Sequence, residues 1–164
     1  LSRSRTAAAV AAAAVLLLVT AAAAPAQQGG EQAADGLLWL TGGVGLGSEG
    51  AAAVASLDVA RNEHLFSLRT AHTSSVIGYS QRYHDVGLLY GRAVRWSEGV
   101  AALSAGPGVA RGDVEGVQPS LSIAARTAWH FSPALGIGGY VFMNFNRDQP
   151  FGGAVLTLEL GVLR

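Results

Sequence analysis

The residues best suited to catalysis are His130 and Ser132, in the segment His130-Phe131-Ser132. A serine hydroxyl becomes a nucleophile when a neighbouring histidine accepts its proton and a carboxylate orients that histidine. No Asp or Glu lies near this pair in the sequence, and Pro133 follows the serine directly. The sequence therefore favours the interpretation in which Ser132 caps a turn and the chain has no catalytic residue.

Metal and nucleotide chemistry lack the spacing that they require. The four histidines are His64, His72, His84 and His130. No two of them are separated by one or three residues, as paired zinc ligands commonly are. The glycine runs at 42–47 and 136–139 are followed by neither a helical pattern nor a lysine that could hold a phosphate. We expect no metal site and no cofactor.

The polar residues are carried by segments that alternate with a period of two, which is the pattern of a β-strand. In residues 117–131, apolar side chains such as Leu121 and Ile123 occupy odd positions, and Ser122 and Arg126 occupy even positions. This alternation is longer than most strands of soluble domains. It suits a tilted strand that crosses a bilayer, which needs about 9–11 residues plus its ends.

The same pattern recurs along the chain beyond Gly36. We predict eight strands at residues 37–47, 51–62, 64–73, 82–96, 100–111, 117–131, 134–146 and 151–164. Turn-forming clusters separate them, and the one long connection lies around residues 71–81. Short connections between consecutive strands make antiparallel hairpins. The predicted fold is therefore all-β, an eight-stranded antiparallel up-and-down barrel.

Two of these strands are harder to interpret. The fourth carries apolar residues on both parities. We place its odd positions on the outer face, with Arg92 inside; these positions are Gly87, Leu89, Gly91 and Ala93. The fifth contains Pro107, which cannot donate a ladder hydrogen bond and normally marks an edge or a bulge.

An eight-stranded barrel can face in two ways. A soluble barrel of the lipocalin kind holds its apolar residues inside, whereas a membrane barrel turns them towards lipid. Here the polar parity consists mostly of Gly, Ser and Thr with few charges, which is too little charge for a solvated surface. Such residues suit a narrow lumen. The sequence favours a transmembrane barrel, with the soluble barrel as the alternative.

Aromatic residues gather at one end of the predicted strands. The set is Trp39, Phe66, Trp96, Trp129 and Phe131. If the chain enters its first strand from the periplasm, all five lie at the periplasmic end. Membrane barrels carry aromatic girdles at their interfaces, and we predict that these residues form one.

Charged residues of the inward parity recur a few positions from the same end. They are Asp58, Arg69, Arg92, Arg126 and Glu159. We expect these five side chains to face one another in one layer across the lumen. Charges enclosed in a narrow barrel must pair or form hydrogen bonds, so the predicted role of this layer is a structural plug.

Composition narrows the possible functions. The chain of 164 residues is 50% hydrophobic and 13% charged, with zero formal net charge and no Cys. Neutrality argues against nucleic-acid binding, which needs a basic surface. Without cysteine the chain has no disulfides and no thiol chemistry.

The first residues have the parts of a secretory signal. Arg3 and Arg5 precede an apolar stretch at 7–20, and an A-x-A cleavage site lies at 24–26. An uncleaved membrane helix is the alternative. The predicted organisation is a cleaved signal peptide at 1–26, a disordered leader at 27–35 and the barrel domain at 36–164.

Three segments carry a resemblance to a known group of proteins. They are DVGLLYGRAV at 85–94, LSAGPGVARG at 103–112 and the segment 136–164. They resemble parts of small, uncharacterised, Gly-rich outer-membrane β-barrel proteins of Gram-negative bacteria. The resemblance implies a barrel fold and an outer-membrane location, and it brings no catalytic residue. The H-x-S segment at 130–132 is similar to that of outer-membrane lipid A deacylases, but the likeness ends at those two residues.

These observations lead to one main functional hypothesis. We expect a non-enzymatic integral outer-membrane barrel with a structural or surface-interaction role, in contact with outer-membrane lipid. A soluble periplasmic barrel that binds an apolar ligand is the alternative, and a lipid-modifying outer-membrane enzyme is a remote one. An extracellular or periplasmic partner is left open, and nucleic acid is not expected.

Overall fold

The protein is a closed antiparallel β-barrel of eight strands. The structure, a computed structural model, describes residues 37–75, 82–112, 116–147 and 149–162. The strands are β1 (Leu37–Gly47), β2 (Gly50–Arg61), β3 (His64–Ser74), β4 (Arg82–Trp96), β5 (Gly99–Arg111), β6 (Val117–Ser132), β7 (Leu135–Asn146) and β8 (Phe151–Val162). Each strand pairs with the next, and β1 also pairs with β8. The predicted fold class is confirmed.

The strands end within two residues of their predicted bounds wherever the structure describes them. Two-residue turns join several hairpins, and in the turn after β2 Asn62 has a φ of 56°, a conformation that Asn tolerates better than most residues. We call the end where β1 starts and β8 finishes the terminal end, and the opposite end the loop end. The part of the chain that the structure describes contains no helix long and apolar enough to cross a membrane.

The period-two separation of faces holds on the three-dimensional barrel. On β1, Val44 and Leu46 are 72% and 77% exposed on the outside, while Thr41 is buried inside. The outer face is a continuous apolar band, and the inner face mixes polar residues with two apolar clusters, one near each end. Seven strands face as their alternation predicted.

The predicted orientation of the fourth strand is wrong. Gly87, Leu89 and Ala93 face the interior, and Arg92 faces outward. The register with β3 decides this, because directly paired residues lie on the same face of a sheet. Arg69 is paired with Gly87, which has no side chain to compete for the same interior space.

Pro107 lies on the outer face of β5. The register between β4 and β5 passes from Gly87 opposite Gly108 directly to Tyr90 opposite Ala105, so the ladder is interrupted beside the proline. On its other side Pro107 is still paired with Leu121 of β6. The barrel thus accommodates a proline within a strand that has neighbours on both sides.

The long connection is shorter than expected, because β3 continues to Ser74. Residues 76–81 lie outside the described part of the chain, as do residues 1–36, which include the predicted signal peptide and leader. The signal peptide, the disordered leader and the long connection therefore remain predictions from the sequence.

Candidate functional site: the buried charges of the lumen

The barrel interior holds five charged side chains among the described residues. They are Asp58, Arg69, Asp85, Arg126 and Glu159. Each is buried, and they form two groups on the inner wall. We call the groups the Asp85 cluster and the Arg126 cluster.

Asp85 is the centre of a dense set of hydrogen bonds. Its Oδ2 accepts from Arg69 Nη2, from Asn144 Nδ2 at 2.7 Å and from Ser122 Oγ at 3.0 Å. Its Oδ1 accepts from the backbone N–H of Ala71 at 3.1 Å. Arg69 and Asp85 are both fully buried. This carboxylate therefore balances the Arg69 charge and also satisfies two neutral side chains.

The strands around Asp85 supply small residues that make room for it. Gly87 lies two positions further along β4, and a Cβ placed on it would lie 3.1 Å from Ser122 Oγ. Gly108 of β5 is similarly close to Ser120 and Ser122. Phe142 lies on the other side of Arg69, with the guanidinium carbon 5.4 Å from its ring centroid. Small residues and one aromatic ring thus enclose the ion pair.

The Arg126 cluster lies nearer the terminal end. Arg126 Nη1 donates to Asp58 Oδ2 at 2.8 Å and to Thr41 Oγ1 at 3.2 Å. Ser56 Oγ donates to the same Asp58 oxygen at 2.6 Å. The guanidinium carbon of Arg126 lies 4.4 Å from the ring centroid of Trp39, which is a cation–π distance.

Glu159 is the least satisfied member of this cluster. Its Oε1 lies 3.8 Å from Arg126 Nη1, and its Oε2 lies 3.7 Å from His130 Nε2. Among the residues that the structure describes, neither carboxylate oxygen accepts a hydrogen bond, and His130 Nε2 makes none. The side chains are close enough for electrostatic interaction but not for direct hydrogen bonds.

The neighbourhood of His130 corrects one step of the sequence argument. No carboxylate lies near it in the sequence, but the pairing of β6, β7 and β8 brings Glu159 to it. The arrangement is still not that of a nucleophile and its base. Ser132 Oγ accepts from the backbone N–H of Ala134 at 3.3 Å, so this serine caps the turn, and His130 points into the barrel.

The predicted layer differs from the observed clusters in two ways. Arg92 lies on the outer face, where it is 70% exposed and pairs with Glu63 at 2.9 Å. Its predicted place in the lumen layer is wrong, because the inner and outer faces of β4 were assigned the wrong way round. Asp85, which was not predicted, faces inward instead, and Arg69 pairs with it rather than with the residues around Arg126. The alternation of β4 contained the signal for Asp85, because positions 85 and 92 have opposite parity and face opposite sides of a regular strand. A strand that turns Arg92 outward therefore turns Asp85 inward.

The aromatic residues of the terminal end divide between the two faces. Phe66, Trp129 and Phe131 are exposed on the outside, and Trp96 is partly exposed there. Trp39 is 2% exposed and points into the lumen, because it alternates with the outward Leu38 and Leu40. Its predicted place in an outer girdle is therefore wrong.

Tyr90 joins the exposed aromatic residues at this end, although the predicted girdle did not include it. Its hydroxyl lies 2.7 Å from His64 Nδ1, and its ring lies 5.2 Å from that of Phe66. An aromatic ring with a polar tip suits the boundary between lipid and water.

The contacts of Arg126 predict unequal couplings to its two acidic neighbours. In double-mutant cycles built from Arg126→Met with Asp58→Ala or Glu159→Ala, we expect a coupling of about 2 kcal/mol with Asp58 and a smaller one, still above about 0.5 kcal/mol, with Glu159. The reason is that Asp58 accepts a hydrogen bond from Arg126, whereas Glu159 does not. The free energies of unfolding would come from reversible urea titrations in lipid vesicles. A coupling below about 0.5 kcal/mol for both pairs would contradict a buried network.

Within the described residues, no group of three or more His, Asp and Glu side chains is arranged to hold a metal ion.

Comparison with known protein families and with curated protein sequences finds no match. Among solved structures, the chain is similar to the crystal structure of Neisserial surface protein A, with a TM-score of 0.61 and 11% identity over 79% of this chain and 99% of that one. It is also similar to a de novo designed transmembrane β-barrel, with a TM-score of 0.54 and 14% identity over 80% of this chain and 100% of the designed one. At such identities the likeness shows the fold alone. The chain therefore has the closed eight-stranded barrel fold that is also found in transmembrane β-barrels.

Proposed function

We propose that this chain is a non-enzymatic integral outer-membrane β-barrel with a structural or surface-interaction role, closed along its axis by its own side chains. The observation that carries the proposal is the distribution of side chains between the two faces. Large apolar residues such as Leu46, Leu88 and Leu156 are exposed on the outside, and the acidic residues of the described strands lie inside. A barrel in water would have the reverse distribution.

The contents of the lumen support the plugged state. A gap lined by Asp58, Arg126 and Tyr140 is too small for a water molecule. Apolar clusters that include Phe142 near the loop end and Leu65 near the terminal end lie along the same axis. An eight-stranded barrel is narrow enough for side chains to fill. We infer that ions do not pass.

The same interior disfavours the two alternatives. A soluble barrel that binds an apolar ligand needs an apolar cavity, whereas this lumen contains buried ion pairs. A lipid-modifying enzyme needs its reactive groups on the lipid side, whereas His130 faces inward. The outer-membrane location rests further on the predicted signal peptide and on the resemblance to outer-membrane barrels.

Membrane fractionation tests the proposal. We expect the folded protein to float with lipid vesicles, to require detergent for extraction and to migrate faster on gels before heating than after. In planar bilayers it should give no ion conductance. Recovery in the soluble fraction without detergent would contradict the membrane location, and steady conductance would contradict the plug.

A further inference from the structure

Charge is distributed unevenly between the two faces of the barrel. In the described strands, each acidic side chain faces the interior, as Asp58, Asp85 and Glu159 do. The exposed arginines on the outer face of these described strands lie towards the strand ends. They are Arg61, Arg82, Arg92 and Arg111. Within the described strands, the outer face therefore carries arginines but no acidic residue.

At the loop end two of these arginines lie on neighbouring strands, together with two histidines. Outward-facing His72, Arg82, His84 and Arg111 form what we call the basic cluster. In the register, His84 is opposite both His72 and Arg111. The rings of His72 and His84 are 6.4 Å apart, and His84 Nε2 lies 2.9 Å from Thr70 Oγ1.

An apolar groove lies next to the basic cluster, on the side towards the terminal end. It has a volume of about 600 Å³. Its outward-facing lining consists of small residues, among them Gly42 and Thr70, between larger ones such as Leu40, Leu68, Val86 and Leu158. A Cβ added to Gly42 would meet nothing within 4 Å, so the groove is open to the surroundings of the barrel.

The groove and the basic cluster are continuous. Thr70 belongs to the groove and contacts His84, and Val86 of the groove lies two residues from His84 on β4. Residues two apart on a strand lie on the same face about 7 Å from each other. A single amphiphilic molecule can therefore contact both features.

We propose that this part of the outer face binds one anionic membrane lipid, with its phosphate at the basic cluster and an acyl chain in the groove. The inference rests on the proposed membrane location, which sets the strand ends at the headgroups and the groove among the acyl chains. Arginine donates charge-assisted hydrogen bonds to phosphate oxygens. A second copy of the barrel is the poorer occupant, because the outer face of its described strands offers no carboxylate to the basic cluster.

The test uses the folded protein in detergent with equal amounts of dimyristoyl phosphatidylglycerol and dimyristoyl phosphatidylcholine, which differ in the headgroup alone. Native mass spectrometry then counts the retained lipids. We expect one phosphatidylglycerol to be retained in preference to phosphatidylcholine. Each arginine near an anionic headgroup should contribute about fivefold in affinity. Arg82→Gln with Arg111→Gln should therefore lower the preference about 20-fold.

Two matched controls make the result specific. Arg61→Gln with Arg92→Gln removes the same charge from the opposite rim and should leave the preference unchanged. Gly42→Leu fills the groove and should abolish retention, whereas Gly139→Leu, at an outer-face glycine that also has nothing within 4 Å of its Cβ position, should not. Heat-modifiable gel mobility confirms that each variant is folded.

Several outcomes would overturn the lipid site. These are equal retention of the two lipids, an equal loss in the opposite-rim control, or an unchanged signal in Gly42→Leu. Displacement of the lipid by glycerol phosphate alone would show a phosphate site without an acyl chain. A protein that floats with phosphatidylcholine vesicles but shows no preference would refute this site and leave the proposed function intact. Failure to float would refute the proposed function itself.

Discussion

Replacement of Asp85 by Ala is expected to lower the free energy of unfolding by about 3–5 kcal/mol, which is the usual cost of removing one partner of a buried pair. Arg69 is fully buried, so its charge would be left without a counter-ion. The Ser122 hydroxyl would lose its acceptor at the same time, and the Asn144 amide would lose one of its acceptors while keeping Ser120 Oγ. A urea titration of the barrel in lipid vesicles would measure the change.

The pair of Arg92 and Glu63 provides the control for Asp85. It is also an arginine paired with a carboxylate, at 2.9 Å, but both side chains are about two-thirds exposed. Glu63→Ala should therefore cost about 0–1 kcal/mol. Adding Arg69→Met to Asp85→Ala should recover part of the loss, because the unpaired charge is then removed. Equal costs for Asp85→Ala and Glu63→Ala would show that the Asp85 cluster is open to solvent.

Leu156→Arg is the second substitution with a large expected effect. Leu156 is 74% exposed on the outer face near the middle of β8. If lipid surrounds this face, an arginine at the bilayer midplane should cost about 2–4 kcal/mol in the same titration. In a soluble barrel the same change would place a charge in water at little cost.

The control for Leu156 is an apolar residue of the outer face that lies closer to the end of its strand. Leu46 is equally apolar and 77% exposed, but it lies next to the loop end of β1. Leu46→Arg should cost about 0–1 kcal/mol, because the penalty falls towards the membrane surface. Thr157→Ser, on the inner face, should be close to neutral. If Leu156→Arg were tolerated as well as Leu46→Arg, the outer face would not be in lipid.

The sequence by itself determined the strands and most of their faces. Alternation between apolar and small or polar residues is a local property, because consecutive side chains of a strand point to opposite sides. It placed the bounds of β1 and β4 where the structure has them. It also predicted that Arg69, Arg126 and Glu159 face the interior, where the structure has them. Short connections then allowed little besides a meander of hairpins that closes on itself.

The tertiary structure decided the facing of β4 and the partners of the buried charges. Alternation fails where both parities are apolar, and there the register with β3 set Asp85 inward and Arg92 outward. Which side chains meet across a lumen depends on the tilt and stagger of the closed barrel. The alternation of residues within one strand therefore does not specify which side chains meet across the lumen. Trp39 against Arg126, and Glu159 beside His130, are contacts between strands that only closure of the barrel brings together.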